Sequence, residues 1–349
     1  MNNMTNHGDV LGDNPIAHSV LVIAEIGSVH DGSLGNAFCL IDAAADCGVD
    51  AVKFQTHIPE AETLPDAPMP SYFRGEPRFE YFKRTAFTLE QWRQLKQRCS
   101  DRGVLFLSSP FSEQAVDLLE SVGLTHYKIP SGEITNLPML DKIARLKKPV
   151  LLSSGMSSWT ELDMAVQTVR KHHGDLTVLQ CTSEYPCSYE RVGLNMLQQM
   201  HQRYGLPVGL SDHTLTPYAS FAAVTLGASV IEKHFTFSRK MYGSDARHSL
   251  EPAEMADLVQ GIRAVEKMLA SPVDKDAIVG SLHGMKEIFE KSVVALVDIP
   301  GGTVITDDLV GIKKPGTGIP ASRLQEIIGL RVRRNIRRDT VLVEEDVLK

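Results

Sequence analysis

From about residue 20, short apolar runs rich in β-branched residues alternate with longer stretches whose apolar positions recur every three to four residues. That rhythm predicts repeated strand–helix units. Eight runs read as strands: 20–27 (VLVIAEIG), 51–56 (AVKFQT), 105–110 (LFLSSP), 125–130 (THYKIP), 149–155 (PVLLSSG), 176–182 (LTVLQCT), 207–213 (PVGLSDH) and 229–235 (SVIEKHF). Their continuous apolar character predicts burial on both faces, as in a parallel sheet. Helical patterns lie between them at 34–48, 113–123, 160–174 and 217–227, each closed by a glycine suited to the left-handed position after a helix.

Eight such units in a row predict an α/β fold, a closed (β/α)8 TIM barrel, whose chemistry would sit at the C-terminal ends of the strands. Those ends carry Glu25, Lys53 with Gln55, Ser108 and Ser109, Lys128, Ser153 and Ser154, Thr182 and Ser183, Asp212 with His213, and Lys233 with His234. Nearly every strand passes from apolar into polar or ionisable residues at the same edge.

Two insertions break the rhythm. Residues 57–87 are too long and proline-rich for a minimal connection and read as a loop at the barrel mouth with a short helix. Residues 237–251 follow the eighth strand, and both segments are expected to act as lid or specificity elements. After the eighth helical pattern at 252–270 the text changes. Residues 1–270 are expected to form the barrel, 271–290 a linker, and 291–349 a small β-rich domain that leans on the barrel or a partner subunit for stability.

The chain has 349 residues, with 36 Lys and Arg against 43 Asp and Glu and a formal net charge of -7, which argues against a general polyanion binder. The basic run RVRRNIRR (331–338) therefore reads as a solvated strand face, and no nucleic-acid partner is expected. No stretch holds the ~18 apolar residues of a membrane span, so no membrane association is expected either. Five cysteines without a CxxC pair point to neither a disulfide framework nor a four-thiolate zinc site, and fit a reducing cytoplasm. The N-terminus lacks the basic flank and apolar run of a secretory signal and reads as a polar lead-in to the first strand.

Lys53 and Lys128 at two strand ends can converge on an anion, with Ser109, Ser131, Ser183 and Ser211 adding hydroxyls. Taken singly, each lysine is as well explained as a salt-bridge partner at the rim. No GxGxxG or Walker pattern follows a first strand, so a nucleotide is not indicated. His213 and His234 end neighbouring strands and suit a divalent first-row metal, with Glu232 or Asp212 behind them. Glu25, Glu133 and Asp245 offer carboxylates for sugar hydroxyls or proton transfer; Glu133 alternatively caps the turn after the fourth strand.

Several co-linear motifs carry a resemblance over nearly the whole chain: AEIGSVHDGSL (24–34), VKFQTH (52–57), SSPFS (108–112), YKIPSGEITNLPML (127–140), SSGM (153–156), CTSEYP (181–186), GLSDHT (209–214), IEKHFT (231–236), SDARHSLEP (244–252) and KKPGTGIP (313–320). In these the chain resembles the N-acetylneuraminate (sialic acid) synthases and their relatives that make legionaminic and other nonulosonic acids. The resemblance implies condensation of phosphoenolpyruvate with an N-acylated mannose-type amino sugar, a TIM barrel followed by an antifreeze-like (SAF) domain, and a domain-swapped homodimer. It implies that Lys53, Ser109, Lys128, Ser131, Ser183 and Ser211 hold phosphoenolpyruvate, and that His213 and His234 bind Mn²⁺ or Mg²⁺. Glu25, Gln55, Glu133, Tyr185 and Asp245 would contact the sugar, with Lys314 reaching it from the neighbouring subunit; Glu25, His213 and His234 would be the catalytic groups.

Three positions depart from the family pattern. Lys314 stands where arginine is usual, and supplies charge without the planar fork. Val29 replaces the usual asparagine before His30, and Ser183 replaces an asparagine common in sialic acid synthases proper. The wording SGEITNLPML with TSEYP and EKHF is closer to legionaminic-type synthases. The rival expectations are another phosphoenolpyruvate-dependent 3-deoxy-ulosonate (phosphate) synthase and a non-catalytic carbohydrate or ice binder.

Overall fold

The computed structural model describes residues 19–68 and 76–348. The expected N-terminal lead-in, and the stretch 69–75 inside the first insertion, lie outside the described residues. Eight strands close a parallel barrel in sequential order: β1 (Leu21–Gly27), β2 (Ala51–Thr56), β3 (Leu105–Pro110), β4 (Tyr127–Ile129), β5 (Val150–Ser153), β6 (Leu176–Cys181), β7 (Val208–Asp212) and β8 (Val230–His234). Closure comes from β8 lying parallel to β1, with Glu25 level with His234.

Side-chain alternation explains why these strands read as unbroken apolar runs. Val22, Ala24, Ile26, Val52, Phe54 and Phe106 belong to the main core, together with apolar residues of the surrounding helices. The opposite parity forms a second cluster of Ile23, Ala51, Leu107, Leu151, Leu179 and Val230. Two residues further along the same parity, the side chains become Glu25, Lys53, Ser109, Ser153, Cys181 and Glu232. With a strand period of two, an apolar layer thus lies directly below a polar one.

The helices begin and end where local chemistry dictates. Thr88 and Gln91 form a reciprocal capping box at helix 89–101, as do Ser158 and Glu161 at helix 159–170. Helix 113–122 stops at Gly123, whose φ of +78° favours glycine. β4 covers three residues rather than the six expected: it begins at Tyr127, and it ends before Pro130, which has no amide to extend the ladder and is followed by a 3-10 turn at Ser131. Among its described residues the first insertion carries two helical pieces, Pro59–Glu62 and Arg78–Thr85, rather than one.

The chain divides into two compact units, Met1–Ser271 and Pro272–Lys349. The second contains short helices at 275–281 and 283–289 in the stretch expected as a linker. It continues with β9 (Ser292–Ala295) antiparallel to β10 (Val310–Lys313), and β11 (Arg331–Val332) antiparallel to β12 (Val347–Leu348). Val293, Ile305, Val332 and Leu342 are among the residues of its own apolar core. All five cysteines are free, and among the described residues no helix is long and apolar enough to cross a membrane.

Candidate active site

The polar layer of the barrel is an ion cluster almost closed to solvent. Lys53 on β2 places Nζ 2.8 Å from Glu25 Oε2, 3.2 Å from Ser109 Oγ and 3.8 Å from Glu232 Oε1. Lys128 on β4 approaches the same Glu232 oxygen at 3.3 Å, and Ser211 donates to it at 3.2 Å. Glu232 Oε2 is buried and has no hydrogen-bond partner. Burial alone would raise the Glu232 carboxyl, but Lys128, Lys53 and His234 outweigh it and hold it down at about 2. Burial also depresses Lys128, against the pull of Glu232. Lys53 ends above its usual value because Glu232 and Glu25 overcome burial. Glu25 is raised, since burial and the neighbouring Glu232 exceed the effect of Lys53. Two buried ammonium groups share one firmly ionised carboxylate and a second that holds its proton more tightly, which leaves the cluster receptive to an anion.

Two glycines mark where further groups converge. A methyl placed on Gly155, just after β5, would lie 2.5 Å from Ser183 Oγ, 2.7 Å from Ser131 Oγ and 2.9 Å from Cys181 Sγ, and the Gly155 amide donates to Ser131 Oγ at 2.9 Å. A methyl on Gly27, where β1 ends with φ +55°, would meet Asp245 Oδ2 at 2.5 Å, Gln55 Nε2 at 3.2 Å and Glu25 Oε1 at 3.4 Å. Gln55 donates to Glu25 Oε1 at 2.7 Å. Asp245, Gln55 and Glu25 are therefore one carboxylate–amide group, assembled from β1, β2 and the segment after β8.

His213 and His234 have ring centroids 5.5 Å apart, and Tyr185 stacks on His213 at 4.1 Å and meets His234 edge-on at 5.9 Å. His213 Nδ1 donates to the Thr182 carbonyl at 2.8 Å, which in the neutral ring leaves Nε2 with the lone pair; burial lowers this histidine, but Cys181 and the Thr182 carbonyl outweigh it and raise it above its usual value. His234 Nδ1 is buried without a partner. Burial, with His213 and Lys53 nearby, lowers His234 to about 4 against the pull of Asp245, so the ring is neutral at pH 7, the form that binds metal. Among the described residues no three His, Cys, Asp or Glu side chains form a metal cluster. The pair fits an ion whose remaining positions are filled by water or substrate oxygens.

Other expected residues stand apart. Glu133 is half-buried and accepts from Asn136 Nδ2 at 2.9 Å, while Asn136 itself caps the next helix. Burial raises the Glu133 carboxyl. Lys314 is exposed in the second unit, with Nζ 4.9 Å above the Phe289 ring. Asp212 does not support the histidines: it turns to the outer face, where it pairs with Lys233 at 2.7 Å and accepts from Ser220 at 2.7 Å. Val29 is 1% exposed within the apolar core, so no polar contact is made from that side chain.

Two residues of this neighbourhood were not expected. Cys181 Sγ lies 4.0 Å from His213 Nδ1. His57 is buried and bonded to both Gln55 and Glu62. Its signal was available, because 53, 55 and 57 continue the inward parity of β2, but it falls one residue past the strand in an insertion.

Comparison with known proteins bears on the family and the fold. The NeuB family profile matches residues 40–274, and the SAF domain profile matches residues 290–348. An N,N'-diacetyllegionaminic acid synthase of Campylobacter jejuni is 37% identical over 93% of this chain and 99% of its own. The human N-acetylneuraminate-9-phosphate synthase is 34% identical over 94% of this chain and 92% of its own. Among solved structures, the N-acetylneuraminic acid (sialic acid) synthetase of Leptospira borgpetersenii, determined with citrate, superposes with a TM-score of 0.67 at 30% identity, covering 77% of this chain and 93% of its own.

Proposed function

The chain belongs to the NeuB family, and from that premise we propose that it condenses phosphoenolpyruvate with an N-acylated mannose-type sugar, releasing phosphate and a nine-carbon sugar acid. It is an enzyme, a synthase of the sialic and legionaminic kind. The observation that carries the reading is the buried pair Lys53 and Lys128 around Glu232, next to two histidines that leave coordinating nitrogens free.

In the proposed reaction C3 of phosphoenolpyruvate attacks the aldehyde carbon of the open-chain sugar, and a C–C bond forms. Water adds at C2, and the tetrahedral centre collapses by C–O cleavage, leaving a keto acid and inorganic phosphate. Lys53, Lys128, Ser109 and Ser211 bind the phosphate and carboxylate and stabilise charge on the departing group without reorganising. Ser131 and Ser183, brought together around Gly155, would add hydroxyl donors for the same substrate. Mn²⁺ or Mg²⁺ held by His213 and His234 would supply Lewis-acid polarisation of the aldehyde. Glu25, Gln55 and Asp245 orient the sugar. Glu25, whose carboxyl is raised by burial, is suited to hold a proton near the attacked carbonyl.

For the acceptor, the sequence wording and two relatives named N,N'-diacetyllegionaminic acid synthase, at 37% and 36% identity, favour 2,4-diacetamido-2,4,6-trideoxymannose over N-acetylmannosamine. The proposal includes a homodimer, which sedimentation of the purified chain tests. The acceptor is tested by incubating the enzyme with phosphoenolpyruvate, Mn²⁺ and each sugar and identifying the product acid by mass spectrometry. A legionaminic-type acid from the diacetamido sugar alone supports the reading; N-acetylneuraminate from N-acetylmannosamine overturns the choice of sugar.

A further inference from the structure

We propose that His57, clamped by Glu62 and two phenylalanine rings, is a positioning residue that sets the orientation of the Gln55 amide and, through it, the hydrogen-bonding state of Glu25. The kinetic part rests on the sugar-site reading above; the structural part does not.

His57 stands just after β2 with its imidazole almost fully enclosed. Phe82 stacks on it at 3.6 Å and 11°, and Phe111 at 4.2 Å and 23°, so the ring has no freedom to tilt. Both nitrogens are engaged. Nδ1 lies 2.8 Å from Glu62 Oε1, and the other oxygen of Glu62 accepts from the Ile58 amide at 3.2 Å. Nε2 lies 3.1 Å from Gln55 Oε1, and Gln55 Nε2 donates to Glu25 Oε1 at 2.7 Å.

A primary amide has one donating end and one accepting end, so its neighbours must match. With the Gln55 nitrogen on Glu25, its oxygen faces His57 Nε2, which donates to it. A turned amide would set its oxygen against a Glu25 oxygen and its N–H against the Nε2–H. Glu62 fixes the ring through Nδ1 and the two phenylalanines fix its tilt, so His57 holds Gln55 with its N–H toward Glu25. Buried networks of this kind are favourable only when every member is satisfied, and here the four side chains match end to end.

The test uses the full chain with ¹⁵N-labelled histidine. The pair of imidazole nitrogen signals that disappears in His57→Gln belongs to His57, and its Nε2 is expected to carry a proton as the donor to Gln55 Oε1. A bare Nε2 would mean the reversed amide and would overturn the proposal. In kinetics, His57→Leu should lower kcat/KM for the acceptor sugar by about tenfold to a hundredfold, with the phosphoenolpyruvate KM within about twofold. His57→Gln, whose amide N–H can reach Gln55 Oε1, should recover much of the loss. Equal losses in both variants, or a parallel rise in the phosphoenolpyruvate KM, would contradict it. If His57→Leu fails to fold, Glu62→Gln should shift the Nδ1 signal of His57 and lower kcat/KM for the acceptor sugar instead; an unchanged signal with unchanged kinetics would sink the clamp. Absence of turnover on every sugar would fail the functional reading and leave the spectroscopic outcome to decide this one.

Discussion

The Nδ1–H of His213 donates to the Thr182 carbonyl at 2.8 Å, and that bond decides which nitrogen of the ring keeps its lone pair. Thr182 immediately follows β6 and His213 immediately follows β7, so adjacent strand ends fix one another's chemistry. A histidine held this way is pre-set as a ligand. His213→Ala or His234→Ala should therefore weaken Mn²⁺ binding by more than about a hundredfold while the circular dichroism spectrum stays that of the parent. Calorimetric titration with Mn²⁺ reads this directly, and unchanged affinity in either variant would remove that residue from the metal site.

Gly155 is required by space rather than by backbone conformation. Its methyl would press on Ser131, Ser183 and Cys181, three side chains that can yield but cannot all stay in place. Gly155→Ala should raise the phosphoenolpyruvate KM by on the order of tenfold, equivalent to about 1.4 kcal/mol, with little change in the acceptor KM. A larger effect on the acceptor would mean that these serines serve the sugar instead.

Lys233 and Asp212 form a fully buried pair on the outer face of the barrel. Lys233 Nζ also donates to the Thr214 and Thr216 carbonyls at 2.7 and 2.9 Å, which ties down the segment after His213. Lys233→Met strands the Asp212 charge and should cost about 3–5 kcal/mol of stability in urea unfolding. Adding Asp212→Asn should return part of that loss. A single variant as stable as the parent would show that the pair is dispensable.

His30 links stability to pH. Its Nδ1 accepts from the Gly32 amide at 3.1 Å, it stacks on Phe87 at 4.5 Å, and burial lowers it from 6.5 to about 3. Between those values the unfolded chain holds a proton that the folded ring refuses, so stability falls as pH drops from 6.5 toward 3, by about 1.4 kcal/mol per unit. Above 6.5 the ring is neutral in both states and contributes no slope. Unfolding midpoints from pH 7 to pH 4.5 should decline less steeply in His30→Gln than in the parent; parallel curves would contradict the assignment.

Six of the eight strands carry two apolar parities, one for the helices and one for the barrel interior; β4 and β7 were legible from the outer parity and its neighbours alone. The lysine, serine and histidine ends followed from the same edge rule. Asp212 and Lys233 were misplaced by that rule, since a strand end exposes two opposite faces and only register separates them. Glu232 was read as supporting the histidines, yet its nearer partners are Lys53 and Lys128, a placement that depends on three strands at once. His57 was hidden for a different reason: its partners Glu62 and Phe82 come from an insertion that has no strand–helix rhythm to read.

The most direct measurement is phosphate release from phosphoenolpyruvate with Mn²⁺ present, comparing 2,4-diacetamido-2,4,6-trideoxymannose, N-acetylmannosamine and no sugar. The account predicts release that requires both the diacetamido sugar and the metal, and that is abolished in His213→Ala. Release at the same rate without any sugar, or full activity of His213→Ala under chelation, would contradict it.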